Sequence, residues 1–104
     1  MSEFSNVTVV KEANVYFDGK VVSRTVIFED GTKKTLGFLQ PGDYTFNTAA
    51  AETMEFFSGE LDVELPDAKE VLVINGKGIF EVPANSSFTM HVKKPADYCC
   101  SYAQ

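Results

Sequence analysis

Few residues of this chain are equipped for chemistry, and the most suggestive is Glu52. In "AAAETMEFFSGEL", residues 49–61, it stands seven residues before Gly59 at the head of a strand-like run. That spacing is half of a metal-site motif, but the histidines that should precede the glutamate are missing. Their positions fall on Phe46 and Thr48, or one residue earlier on Thr45 and Asn47, and none supplies an imidazole. No three nitrogen, sulfur or carboxylate ligands converge on the motif, so no transition metal is expected.

Strand alternation sets Glu52, Met54, Phe56 and Ser58 on one face. It also groups Tyr98, Cys100 and Tyr102, then Phe88, Met90 and Val92, and Tyr44, Phe46 and Thr48. The rings among them can fill a core or stack on a planar ligand. Lys20, Arg24, Lys33 and Lys34 are the cations able to meet an anion, with arginine's fork best suited to phosphate. Thr45, Thr48 and Ser86 add hydroxyl donors. The single histidine, His91, alternates away from Phe88 and Met90 and is expected to face outward. Cys99 and Cys100 are neighbours, which strains any bridge between them. They read as part of a buried strand.

The elements that must position these residues are almost wholly strands. Asp18-Gly19 and Asp30-Gly31 read as hairpin turns between β-branched and aromatic runs. Pro41-Gly42, Gly59 and Asn75-Gly76 read as further turns, and "SSFTMHVKK" and "DYCCSYA" as two closing strands. Eight to ten short strands with no useful helix imply a closed or sandwiched all-β fold, with a jelly roll the best single assignment. The 104 residues are read as one domain, with 1–13 a loosely attached N-terminal strand or arm.

Composition bounds the rest. Hydrophobic residues make up 44% and charged residues 23%, as expected of a packed globular chain. No apolar run is long enough to span a bilayer, and "MSEFSNVTVV" lacks the pattern of a signal peptide. A cytoplasmic protein without a membrane partner is expected. The net charge of −6 is concentrated in residues 38–92, where nine acids face only Lys69 and Lys77. That stretch repels a polyanion, which argues against a nucleic-acid partner. A small anion needs only one or two local donors.

The quoted motifs carry a resemblance. Glu52-x6-Gly59 is similar to the end of the first cupin motif, G-x5-HxH-x3,4-E-x6-G. "VPANSSF", residues 82–88, resembles the proline segment of the second, with Asn85 in place of its glycine and Phe88 in place of its histidine. More specifically, "NVYFDGKVVS", "PGDYTFNT", "ETMEFFSGELDVELPD", "FEVPANSSF" and "YCCSY" resemble, in order and spacing, the small single-domain pyrimidine/purine nucleoside phosphorylases. Family members usually carry an aromatic residue near "KEVLVIN", where this chain has only aliphatics.

The resemblance implies an RmlC-like cupin jelly roll. It also implies a metal-independent pentosyltransferase, converting purine and pyrimidine nucleosides and inorganic phosphate to free base and α-D-ribose 1-phosphate. Phosphate is a co-substrate and no cofactor is implied. Glu52 is the expected catalytic residue; Arg24, Lys34, Tyr44, Thr48, Phe56, Ser86, Phe88, Tyr98 and Tyr102 are the candidates for binding substrate. A homodimer is implied, and a small jelly roll with exposed residues such as Phe57 is suited to one. Composition and periodicity do not separate this enzyme from a non-catalytic sugar-binding cupin or from a purely structural β-protein.

Overall fold

A computed structural model describes residues 3–103. Nine strands run in the order β1 (Thr8–Val9), β2 (Asn14–Tyr16), β3 (Val21–Ile27), β4 (Lys33–Leu39), β5 (Gly42–Asn47), β6 (Glu52–Glu64), β7 (Leu72–Asn75), β8 (Gly78–Val82) and β9 (Ser87–Tyr102). The only helical turn among the described residues is a 3-10 turn at Phe17–Gly19. All pairing is antiparallel, as expected of strands joined by short turns. Among the described residues no helix is long and apolar enough to cross a membrane.

Two of the expected hairpins are present. The 3-10 turn around Asp18-Gly19 joins β2 to β3, and Asp30-Gly31 joins β3 to β4. At the second, the Thr32 amide and hydroxyl both donate to Asp30 Oδ1, at 3.0 and 2.7 Å. Val10 N also donates to Thr25 O at 2.9 Å, so the N-terminal arm from Thr8 to Val10 is pinned along β3.

The other expected turns are bends within continuing paths. β6 runs unbroken through Gly59, with register shifts against β9 between Phe56 and Leu61. Extra residues on one strand turn side chains out of phase. Ser58 is therefore exposed instead of sharing the inner face of Glu52, Met54 and Phe56. Gly59 has φ +119°, and a Cβ there would meet Ala96 Cβ at 2.5 Å, so only glycine fits. Alongside, β7 and β8 do not pair with each other. Both pair with β6, and Gly76 N donates to Gly59 O at 2.8 Å.

β4 and β5 likewise lie end to end along β9, with Pro41 at the join. The two expected closing strands are one, β9, which passes through Pro95. A crease therefore crosses β4–β5, β9, β6 and β7–β8 at one level, and folds the sheet over its own interior. The two halves meet through Phe80 and Phe88, with ring centroids 5.9 Å apart. Val21, Leu39, Phe56, Leu61, Val63, Val82, Met90 and Ala96 are sealed in the same core. Each of these side chains other than Ala96 contributes about 1.5–3 kcal/mol of burial, which is what holds the crease shut.

Candidate active site

The pairing registers set inward side chains in rows across the half-barrel built from β3, β4, β9, β6 and β8. The deepest of three rows reads Ser23, Gly37, Tyr98, Phe56, Gly78. The next reads Thr25, Thr35, Cys100, Met54, Phe80. At the rim Tyr102 pairs with Glu52 and Glu52 with Val82, and continuing the β4–β9 register by one residue sets Lys33 opposite Tyr102. The side toward β3 and β4 is polar and the side toward β8 apolar. This is the arrangement of a pocket that must grip one end of a ligand and shield the other.

Two hydrogen-bonded groups occupy the polar side. Asn14 Nδ2 donates to Ser23 Oγ and Thr25 Oγ1, each at 3.2 Å. Tyr98 reaches Ser23 as well. The second group joins Thr35 Oγ1 to the Tyr102 hydroxyl at 3.2 Å, and Cys100 Sγ donates to Glu52 Oε1 at 3.4 Å. Burial raises the Glu52 pKa, and the Cys100 hydrogen bond opposes the rise. Burial, then the Glu52 charge, pushes the Cys100 thiol up to about 12, so it stays protonated and able to donate. Burial also raises the Tyr98 and Tyr102 phenols.

Two cavities, each of about 470 Å³, open on either side of Tyr102. One is lined by Asn14, Tyr16, Thr25, Gly31, Lys33, Thr35 and Tyr102. The other is lined by the rim residues Ala51, Glu52, Val82, Pro83 and Ala103, with Thr53, Glu81, Ser101 and Tyr102. Each is large enough for a small polar ligand.

Of the residues singled out from sequence, Glu52, Tyr98 and Tyr102 come together here, with Phe56 packed beneath, its ring centroid 5.9 Å from that of Tyr98. The remainder lie elsewhere. Arg24 is exposed on the outer face and donates through Nε to the Lys11 carbonyl at 3.4 Å. Lys34 also points outward, its ammonium 5.6 Å from the Phe4 ring and 5.7 Å from Phe28. Tyr44 is buried in the other half-barrel, donating to Gln40 O at 2.7 Å.

Thr48 accepts from Ser86 N at 3.0 Å and donates to Pro83 O at 2.7 Å, which clasps two loops together. Ser86 Oγ donates to Ala84 O. Phe88 is buried, stacked 6.1 Å from Phe46. Phe88 stands at the position of the second motif's histidine, and Phe46 at one of the two alternative positions read for a histidine of the first. No group of three His, Cys, Asp or Glu side chains able to hold a metal occurs among the described residues.

Sequence reasoning passed over Asn14, Ser23, Thr25 and Thr35, and preferred Lys34 to Lys33. The available signal was β4 itself, where Thr35 and Gly37 point in while Leu36 and Phe38, both 41% exposed, point out. A strand with its polar face inward encloses something other than a plain core.

An antiparallel sheet creased over an apolar interior, with half-buried Glu52 at the mouth, has the fold of the RmlC-like cupins. An RmlC-like cupin from Shewanella frigidimarina superposes at a TM-score of 0.69 over 97% of this chain and 86% of that one, at 12% identity, which speaks to fold alone. The chain belongs to the pyrimidine/purine nucleoside phosphorylase family, whose profile matches residues 11–102. It is 67% identical over 102 residues to a pyrimidine/purine nucleoside phosphorylase of Geobacter metallireducens, covering 98% of both chains. A crystal structure of a protein of unknown function from Acinetobacter sp. ADP1 superposes at a TM-score of 0.92. It has 44% identity over 97% of this chain and 98% of that one.

Proposed function

We propose that the protein cleaves purine and pyrimidine nucleosides with inorganic phosphate, releasing free base and α-D-ribose 1-phosphate. An oxygen of phosphate forms a bond to the anomeric carbon as the bond to the base nitrogen breaks. The bonding electrons leave with the base, which takes a proton from water. Like other glycosyl transfers, the reaction passes through a state with positive charge on the sugar.

The observation that carries the reading, given the family, is Glu52. It is a half-buried carboxylate held by Cys100 at a mouth lined with hydroxyls. A negative group in such surroundings favours developing positive charge nearby and accepts hydrogen bonds from ribose hydroxyls. The ring of Tyr102, which lines both cavities, offers a face to the base or sugar without reading a particular base edge, which suits mixed substrates, and buried Tyr98 packs below it. No step calls for a cofactor. The protein works as a homodimer in this reading, with exposed Leu36, Phe38, Phe57 and Ile79 on the outer sheet face available for pairing.

The test is chromatographic detection of uracil and hypoxanthine from uridine and inosine, with and without phosphate. Release that requires phosphate is expected. Equal release without phosphate makes the protein a hydrolase, and no release in either case leaves it a binding module. Light scattering of the same preparation at micromolar concentration is expected to give twice the chain mass, and a monomer would overturn the dimer.

A further inference from the structure

We infer that inorganic phosphate binds at Lys33, in the cavity on the β3–β4 side of Tyr102, leaving the Glu52 side of that ring to the nucleoside. The inference deepens the phosphorylase reading and rests on it for the identity of the anion.

The two cavities differ in charge. The first carries one cation, Lys33, and no carboxylate among its lining residues. The second carries Glu52 and Glu81 and no cation. A phosphate dianion in the second would face two negative groups at short range, and a chain of net charge −6 offers little to offset them. Lys33 is also available. It makes no ion pair among the described residues, whereas Lys93 and Lys94 are paired with Asp62 and Glu60. Arg24 and Lys34, the cations favoured by sequence, are turned to the outer face. Thr35, Thr25 and Asn14 supply hydroxyl and amide groups around the same space.

The stereochemistry of the reaction fits the geometry. Converting a β-nucleoside to α-ribose 1-phosphate inverts the anomeric carbon, so attacking phosphate and departing base lie on opposite faces of the sugar. Lys33, Tyr102 and Glu52 stand at one level on three adjacent strands. Neighbouring strands are about 4.8 Å apart, so the Lys33 and Glu52 backbones are separated by roughly 10 Å. That span accommodates a phosphate and a ribose side by side over Tyr102.

The test compares Lys33→Met, Lys33→Arg and Lys34→Met, all at exposed or half-exposed positions where the fold is expected to persist. Circular dichroism checks that it does. Lys33→Met is expected to raise KM for phosphate about ten- to a hundred-fold, the loss of one charge-assisted contact, with KM for inosine nearly unchanged. Lys33→Arg keeps most of the affinity and Lys34→Met all of it. Binding is read separately from turnover by the broadening of the inorganic phosphate 31P resonance on adding protein. Broadening is expected in wild type and Lys34→Met, and its loss in Lys33→Met.

An unchanged phosphate KM and unchanged broadening in Lys33→Met overturn the assignment. So does an equal loss in Lys34→Met, which would mean that surface charge alone matters. A wild-type protein that releases no base with phosphate overturns the phosphorylase reading instead. The 31P comparison then still decides whether Lys33 holds the anion.

Discussion

The ring of Tyr98 occupies the space that a side chain at Gly37 would need. A Cβ on Gly37 would fall 2.4 Å from Tyr98 Cζ and 2.5 Å from its hydroxyl oxygen. The absent side chain on β4 is what lets a β9 tyrosine lie flat across the neighbouring strand and reach Ser23. Gly37→Ala therefore displaces the ring even though the backbone tolerates alanine. Overpacking of this kind costs about 1–3 kcal/mol. A lowered melting temperature together with a raised KM for nucleoside is expected. Wild-type values of both would show that the ring is not seated there.

Glu52→Gln is expected to reduce base release by roughly ten- to a hundred-fold, the loss of a charge-assisted contact that tightens as the sugar becomes positive. Its effect on stability has the opposite sign. Burial raises the folded-state pKa of Glu52, so its favourable contribution is complete below the unfolded carboxyl range, about 4.3, and is lost as pH rises through the folded value. Glutamine cannot ionise and escapes that loss. Melting curves should show Glu52→Gln at least as stable as wild type at pH 7, with the gap closing in acid. A variant that melts early yet turns over normally would make Glu52 a structural residue.

His91 faces outward, as expected, but it is not idle. Its Nδ1 lies 2.7 Å from Asp43 Oδ1, and its Nε2 meets Glu64, tying β5, β9 and β6 together on the outer surface. Hydrogen bonds to Glu64 and then Asp43 raise its pKa above 6.5. Asp62, its register partner on β6, is taken up by Lys93 at 3.2 Å. Stability from the charged imidazole is present below pH 6.5 and disappears as pH climbs through the raised value. Wild type is expected to melt above His91→Gln at pH 6 and level with it at pH 9. A constant gap across that range would refute the role.

Cys99 and Cys100 are both buried and both have raised pKa values, chiefly through burial. The thiolate is the reactive form, so a disulfide-exchange reagent at pH 8 should find almost no thiol in the native protein. After denaturation it should find both. Rapid labelling of folded protein would mean that the site around Cys100 opens readily.

The fold was legible in the sequence because strand signals are local. Alternation, Asp-Gly turns and the Glu52–Gly59 spacing are written in adjacent residues. What was not legible is which glycine and proline signals reverse the chain and which only bend it. Pro41, Gly59 and Gly76 carry the same chemistry in either case, and only pairing with distant β9 or β6 decides. The site suffered from the same dependence. Glu52, Tyr98 and Tyr102 follow from motif and alternation. Lys33, Thr35 and Ser23 acquire meaning only once β3 and β4 are docked against β9, because a bulge or an inverted strand changes which neighbour faces in. Of the adjacent pair, Lys34 turns to the outer face and Lys33 to the cavity for that reason alone.

β9 pairs with β4, β5 and β6, and it carries Tyr98, Cys100 and Tyr102 in its last turn-free stretch. It is also the last of the described strands in chain order. Thr35 must wait for a partner 67 residues away, at Tyr102, before its hydroxyl is satisfied. During synthesis every earlier strand therefore leaves the ribosome with its central seam open, and pairing across such separations closes slowly. The pocket and the finished barrel arrive in one late event. A nascent chain stalled before β9 would expose the long edge of β6 and be a target for chaperones, with no partially active form on the way.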